Sequence, residues 1–209
     1  MKTALIWGAA GGIGRAIARQ LSKETWQILA ACRRPESLAN LADFVYDVEL
    51  SDPFSVQSAV TSISQEVSEV DLWVYAAGDI ASLRINEMSP FDWQRILQAN
   101  LNGAFLATHY SWPLLSDQAH LFYLGAVSER MRLPGLSAYA AAKAGLEAFA
   151  DVVRKESRRK VTVVRPGAAD TPFWNKVPFK LPPHHLTADE VAARILQAYS
   201  EGHQGQLDL

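Results

Sequence analysis

At 209 residues, 49% of them hydrophobic and 20% charged, the chain has the composition of one globular domain with a full core, which excludes a disordered protein. A formal net charge of -2 gives no reason to expect nucleic acid or an anionic membrane as partner, and no stretch approaches the roughly eighteen apolar residues of a membrane span. Cys32 is the only cysteine, so no disulfide forms within the chain; a reducing compartment and a cytoplasmic protein are expected.

The N-terminal MKTALIWGAAGGIG has one lysine and a short apolar run that leads into glycines, and reads as a first strand over 3–8 rather than a signal peptide. The pattern then predicts a helix over 12–22, a strand over 26–32, a short helix near 36–41 and a strand over 43–48. A helix over 53–67, a strand over 71–78, a long helix over 90–115 and a strand over 120–126 follow. After them come a helix over 137–157 and a strand over 160–167. The cluster Arg154, Lys155, Arg158, Arg159 and Lys160 caps the helix 137–157 before the strand, read as a solvated C-terminus favoured by the helix dipole. A last helix over 188–201 opens with Thr187 and Glu190 at capping-box spacing, and GQLDL at the end adds an edge strand.

Most strand segments are near-continuously apolar, as strands buried on both faces of a parallel sheet must be. Alternation with crossover helices defines the class as α/β: a doubly wound parallel sheet of the Rossmann type in three layers, α/β/α, one domain over 1–209. Its ligand site is expected beyond the C-terminal ends of the strands. The segment TPFWNKVPFKLPPHHL, 171–186, breaks the pattern: its prolines prevent a regular helix, and its place after a strand end predicts a substrate-covering loop.

WGAAGGIGRAIA sets Gly8, Gly12, Ile13 and Gly14 at the junction of the first strand and first helix. Glycines there permit a tight turn and let backbone N–H groups approach a pyrophosphate, which the helix N-terminus attracts. The second strand ends AACRRPE, with no acid at its tip. An acid would accept from both ribose hydroxyls, whereas arginine suits a 2′-phosphate, so NADP (NADPH) is favoured over NAD. Arg33 is better placed than Arg34 because it follows the strand directly. Asp47, with Val48 at the end of the third strand, is a candidate for the adenine amino group, or else caps a turn.

Tyr139 and Lys143, in YAAAK, lie on one helix face. A free tyrosine has a pKa of about 10 and serves better as an acid than as a base at neutral pH. A nearby ammonium is expected to stabilise the phenolate and draw that pKa down, easing proton transfer both ways. Lys143 also reaches toward a cofactor ribose.

The stretches GAAGGIG (8–14), YAAG (75–78), QANLNGAF (98–105), YAAAK (139–143) and RPGAADT (165–171) together make the chain resemble the short-chain dehydrogenase/reductases, from Lys2 to about Thr171. The resemblance implies a seven-stranded Rossmann-type sheet and hydride transfer between NAD(P) and a small carbonyl compound or alcohol. It implies a homodimer or homotetramer through the helices 90–115 and 137–157, whose apolar faces equally suit packing on the sheet. By the same resemblance Tyr139 is the proton donor, Lys143 its partner and ribose ligand, and Asn100 the residue that holds a proton-relay water near the lysine. Ala77 and Gly78 run along the cofactor, and Pro166, Gly167 and Thr171 contact its nicotinamide end.

Two departures stand out. Tyr75 and Ala76 occupy positions where the family commonly has asparagines, for which altered packing rather than lost chemistry is expected. The family's catalytic serine, thirteen residues before the tyrosine, is Ala126 here. That serine donates to the substrate oxygen as charge develops, and losing such a donor typically costs about a hundred- to a thousandfold in rate. Ser128 would share the face of Ala126 but stand about 6.5 Å further along an extended chain. A turn there would bring it back, so Ser128 is the candidate substitute for catalysis and substrate contact. Ser137, just before the helix, reads as an N-cap.

Three functions follow. The first is an NADPH-dependent carbonyl reductase with Ser128 in the serine role. The second is a reductase of a C=N or quinonoid ring; the dihydropteridine reductases resemble this case, with a small residue for the serine. The third is a non-catalytic NADP-binding redox sensor, against which the intact Tyr139, Lys143 and Asn100 argue. Phe173 and Trp174 suggest an aromatic substrate face, or else pack the loop onto the core. His184 and His185 lack the Cys or acidic companions of a metal site, and no metal is expected.

Overall fold

The run KTALIW is buried from Thr3 onward because it becomes a central strand of a sheet covered on both faces. The computed structural model describes residues 1–38 and 40–209, apart from the side chains of Ser128 and Glu129. Its main sheet has seven parallel strands. In chain order β1 (Lys2–Trp7), β2 (Trp26–Cys32), β3 (Phe44–Asp47), β4 (Val70–Tyr75), β5 (Leu115–Leu124) and β6 (Lys160–Arg165) belong to it. A short parallel pair, β7 (Ala169–Asp170) and β8 (Leu186–Thr187), precedes the last strand, β9 (Gly205–Asp208). The order across the main sheet is β3-β2-β1-β4-β5-β6-β9, so the winding reverses between β1 and β4. The two strands run in register to Trp7 and Tyr75, and the crevice beyond those ends is where such sheets bind ligands.

Helices α1 (Gly12–Leu21) and α6 (Ala188–Glu201) cover one face, burying Ile17, Leu21, Val191 and Ile195 against Ile6, Ile28 and Phe122. On the other face lie α2 (Pro53–Glu66), α4 (Gly103–Ser111) and α5 (Ser137–Glu156), with Ile63, Ala107, Leu146 and Val153 packed against Leu5, Trp73 and Tyr123. Thr187 and Glu190 form the expected capping box at the start of α6. Among the described residues no helix is long and apolar enough to cross a membrane.

Several elements differ from the sequence expectation. The predicted helix 90–115 is broken: α3 (Pro90–Leu97) passes into a wide π turn, Gln98–Asn102, before α4, and a 3-10 turn, Trp112–Leu114, ends the run at Pro113. Strand β5 then starts at Leu115, five residues before the predicted 120, pairing with Val70 across a register irregularity. Its polar Ser116, Asp117 and Gln118 hide this beginning from an apolar pattern. The helix near 36–41 is a 3-10 turn, Pro35–Leu38. Five predicted strands overrun: Gly8, Val48, Ala76–Gly78, Gly125–Ala126 and Pro166–Gly167 leave the sheet and become cleft wall instead. Segment 171–186 is bracketed by β7 and β8 and carries a 3-10 turn over Pro172–Lys176. Leu136, not Ser137, is the N-cap of α5; Ser137 is its first helical residue, exposed, with its hydroxyl 4.0 Å from Met88 Sδ.

Candidate active site

Beyond the strand ends lies a cleft of about 1850 Å³. Its floor begins at Gly8, where the backbone turns with φ +80° and an added Cβ would stand 2.4 Å from Ala77 N, so only glycine fits between the β1 and β4 exits. Gly12 comes so close to the Thr171 methyl that a Cβ would meet it at 2.6 Å. Helix α1 has neither a side-chain cap at Gly11 nor an acid in its first turn, so its leading N–H groups are left for an external acceptor. Ile13 lines the cleft beside them, whereas Gly14 lies off its wall. A glycine cradle, uncapped N–H groups and a threonine closing over them fit a dinucleotide pyrophosphate.

Arg33 and Arg34, just past the tip of β2, line the cleft, and both are exposed. Val48 lines the cleft, but Asp47 is not on its wall; Glu49, two residues past β3 and not among the sequence candidates, is. Burial pushes the Glu49 carboxyl up, but hydrogen bonds from Ser51 and the charge of Arg33 outweigh it and hold the group below its ordinary range. Ala77, Gly78, Pro166, Gly167 and Thr171 all lie along the cleft.

Tyr139 and Lys143 sit one turn apart on α5, both buried but facing the cleft. Lys143 Nζ donates to Leu124 O at 2.7 Å, at the tip of β5, and stands 5.6 Å from the centre of the Tyr139 ring. Burial draws the Lys143 ammonium down to about 8, with Glu147 acting against it. For Tyr139 the balance is opposite to the sequence expectation: burial dominates, and the phenol is held above its ordinary value. Asn100 is fully buried behind the wall; its Nδ2 donates to Asp79 O at 2.6 Å and to Ile96 O at 2.8 Å. Asn100 Oδ1 has no partner among the described residues. A Cβ on Gly78 would stand 2.8 Å from that oxygen and 3.8 Å from Lys143 Nζ, so the two polar atoms face one gap.

Ala126 lines the cleft in one apolar cluster with Tyr139, Leu136 and Ile80. The chain does turn after it, for Ser128 opens a 3-10 turn through Met131, but the Ser128 side chain lies outside the described residues. Phe173 lies 5.8 Å from the Tyr139 ring, centre to centre, and Trp174 Nε1 donates to Ala169 O at 2.8 Å; both line the cleft. Of the two histidines His184 faces the cleft, while His185 Nδ1 is 2.8 Å from Pro182 O. Among the described residues no group of three His, Cys, Asp or Glu is placed to hold a metal ion.

Sequence reasoning missed one set altogether. Asp79, only 7% exposed, pairs with Arg95 of α3 and accepts from Lys176 Nζ at 2.5 Å, so a carboxylate beside the crevice ties down segment 171–186. An acid placed directly after the apolar YAAG run was the available signal, because a charge so close to a buried strand end needs a partner.

Residues 2–180 match the model of the short chain dehydrogenase family, and the chain belongs to that family. It is an oxidoreductase of the NAD(P)-binding Rossmann type. Among curated relatives, the 3-oxoacyl-acyl-carrier-protein reductase FabG of Escherichia coli is 29% identical over 181 residues, covering 81% of this chain and 74% of its own. Sepiapterin reductase of Chlorobaculum tepidum is 26% identical over 220 residues, covering 93% and 88%. In fold, an alcohol dehydrogenase of Thermococcus sibiricus complexed with 5-hydroxy-NADP superposes with a TM-score of 0.90 at 23% identity, over 100% of this chain and 96% of that one. A short-chain oxidoreductase of Thermus thermophilus does so with 0.81 at 28% identity, over 95% of each.

Proposed function

We propose that this protein is an NADPH-dependent reductase of a small carbonyl compound, with Tyr139 as proton donor. The observation that carries the reading is the convergence of Tyr139, Lys143 and Asn100 Oδ1 beside a cleft that Arg33 and Arg34 also line. When bound, the dinucleotide supplies the hydride. Tyr139, kept protonated at neutral pH by its burial, gives its proton to the substrate oxygen. The Lys143 ammonium near its ring favours the phenolate that forms, and the gap shared with Asn100 Oδ1 is the route by which the proton is replaced. Ile13, at the uncapped start of α1, and Thr171 hold the pyrophosphate, with Gly8, Gly12 and Gly14 shaping its turn. Ala77, Gly78, Pro166 and Gly167 flank the dinucleotide, and Val48 lies on its adenine side, with Asp47 next to it off the cleft wall.

We take 1–209 as one domain and 171–186 as its substrate loop, with Phe173 and Trp174 supplying an aromatic face. A homodimer or homotetramer is favoured by the exposed Phe105 and Val152 on α4 and α5. The second reading, reduction of a C=N or quinonoid ring, is favoured by two observations: position 126 carries no hydroxyl, and the Ser137 hydroxyl lies against Met88 Sδ. Loss of NADPH absorbance with a panel of carbonyls and a quinonoid pterin, run in parallel with NADH, separates the readings. Tight NADPH binding without turnover of any of them would instead leave the redox sensor.

Replacing Arg33 and Arg34 together by Ala is expected to weaken NADPH binding at least tenfold while NADH binding changes little, since a charge-assisted hydrogen bond contributes about 1.5–3 kcal/mol. Fluorescence titration of both nucleotides checks this, and equal losses for the two would remove the 2′-phosphate assignment. Lys176→Met is expected to raise the substrate KM about three- to fivefold with kcat nearly unchanged, the range of a partly exposed ion pair. High salt should produce the same change in the unmodified protein and none in the variant.

A further inference from the structure

We propose that Tyr75 is a positioning residue for Asn100, acting through the π turn of the helix run; the inference rests on the reading of Asn100 given above. In the turn Gln98–Asn102 the hydrogen bond from Gly103 N reaches back five residues to Gln98 O, so one extra residue is fitted into the helix at the asparagine. Such a turn loosens the carbonyl pattern and is kept only where other groups satisfy what it releases. Two side chains do so. Asn100 Nδ2 donates to Ile96 O at 2.8 Å, and the Tyr75 hydroxyl, reaching across from the last residue of β4, donates to Ala99 O at 2.8 Å.

Tyr75 is fully buried, its ring stacked 6.2 Å from Trp73, and burial holds its phenol protonated as a donor. Gly103 leaves room for the hydroxyl, since a Cβ there would stand 2.6 Å from Tyr75 Oη. The carbonyl it holds belongs to the residue directly before Asn100. Were the turn to tighten into regular helix, the backbone at Asn100, in its middle, would be reset as the following helix rotates by about 100°, and Asn100 Oδ1 would leave the gap it shares with Lys143 Nζ. The tyrosine that replaces a family asparagine therefore fixes the direction of the relay residue from behind, without touching substrate or cofactor.

Tyr75→Phe removes the hydroxyl and keeps the ring. Hydrogen exchange of the amides over 98–104 is expected to quicken about tenfold, because a buried carbonyl loses its donor. In NADPH-saturated protein kcat should fall about tenfold with the NADPH KM within about twofold, and adding Tyr75→Phe to Asn100→Ala should change kcat less than about twofold. A merely structural role would lower Tm without this coupling, and the double variant would then lose the product of the two single effects. That result, or unchanged exchange over 98–104, overturns the proposal. If no substrate is reduced at all, the reading of the site fails, while the exchange still decides whether Tyr75 holds the turn.

Discussion

Tyr139→Phe is expected to lower kcat for carbonyl reduction by roughly 10²–10⁴-fold, the range of a removed general acid, while NADPH affinity stays within about threefold. The ring is retained, so its contacts with Phe173 and the apolar cluster around Ala126 and Leu136 remain, and only the proton is lost. Steady-state kinetics beside a fluorescence titration of NADPH separate the two effects. A variant within tenfold of the parent rate would show that the proton comes from elsewhere. The pH profile supplies a second check. Lys143 is drawn from 10.5 down to about 8 by burial, so it is charged below that pH and neutral above it. A neutral amine does not favour the phenolate, hence kcat/KM for reduction should decline as pH rises through about 8, with Lys143→Met flat across the same window.

Ala126→Ser is expected to raise kcat/KM for carbonyl compounds about ten- to hundredfold, somewhat less than the hundred- to thousandfold measured when such a donor is removed from an optimised site. Ala126 lines the cleft beside Tyr139, so one added oxygen has space to face a substrate there. Reduction of a quinonoid pterin, which develops less charge on oxygen, should change little. The comparison with Ser128→Ala decides between the two serine positions. If Ser128 already donates, its removal will cost a similar factor and Ala126→Ser will add nothing. If neither substitution moves carbonyl turnover, the missing hydroxyl does not limit the reaction and the ring substrate becomes the better reading.

The sheet was legible because parallel strands buried on both faces must be apolar throughout, which KTALIW and WQILAAC display. The start of α6 was legible because a capping box is a local signal, complete within four residues. What escaped depends on partners distant in the chain. Nothing in QANLN announces a π turn, because the hydroxyl that supports it comes from Tyr75. Nothing in LSDQ announces a strand, because its partner Val70 lies on β4. The tie between Asp79 and Lys176 joins two loops 97 residues apart, so the acid after YAAG signals a partner without naming it. The direction of the Tyr139 shift was misjudged for the same reason: the lysine is visible four residues away, whereas the burial that raises the phenol is made by α3, the 171–186 segment and the β5 exit together.

The strand order also governs how the chain finds its structure. No two neighbours in the seven-stranded sheet are joined by a hairpin, and β1 pairs with β4 only after β2 and β3 have been laid down on its other side in the chain. Pairings of this kind close long loops before any contact rewards them, so folding is slow compared with a helical bundle of the same length. The crevice between the ends of β1 and β4 is a product of the longest of these closures. A nucleotide that binds there has nothing to grip on a partly assembled chain. It can hold the finished sheet against unfolding, by an amount set by its concentration over its Kd, but it cannot hasten the assembly.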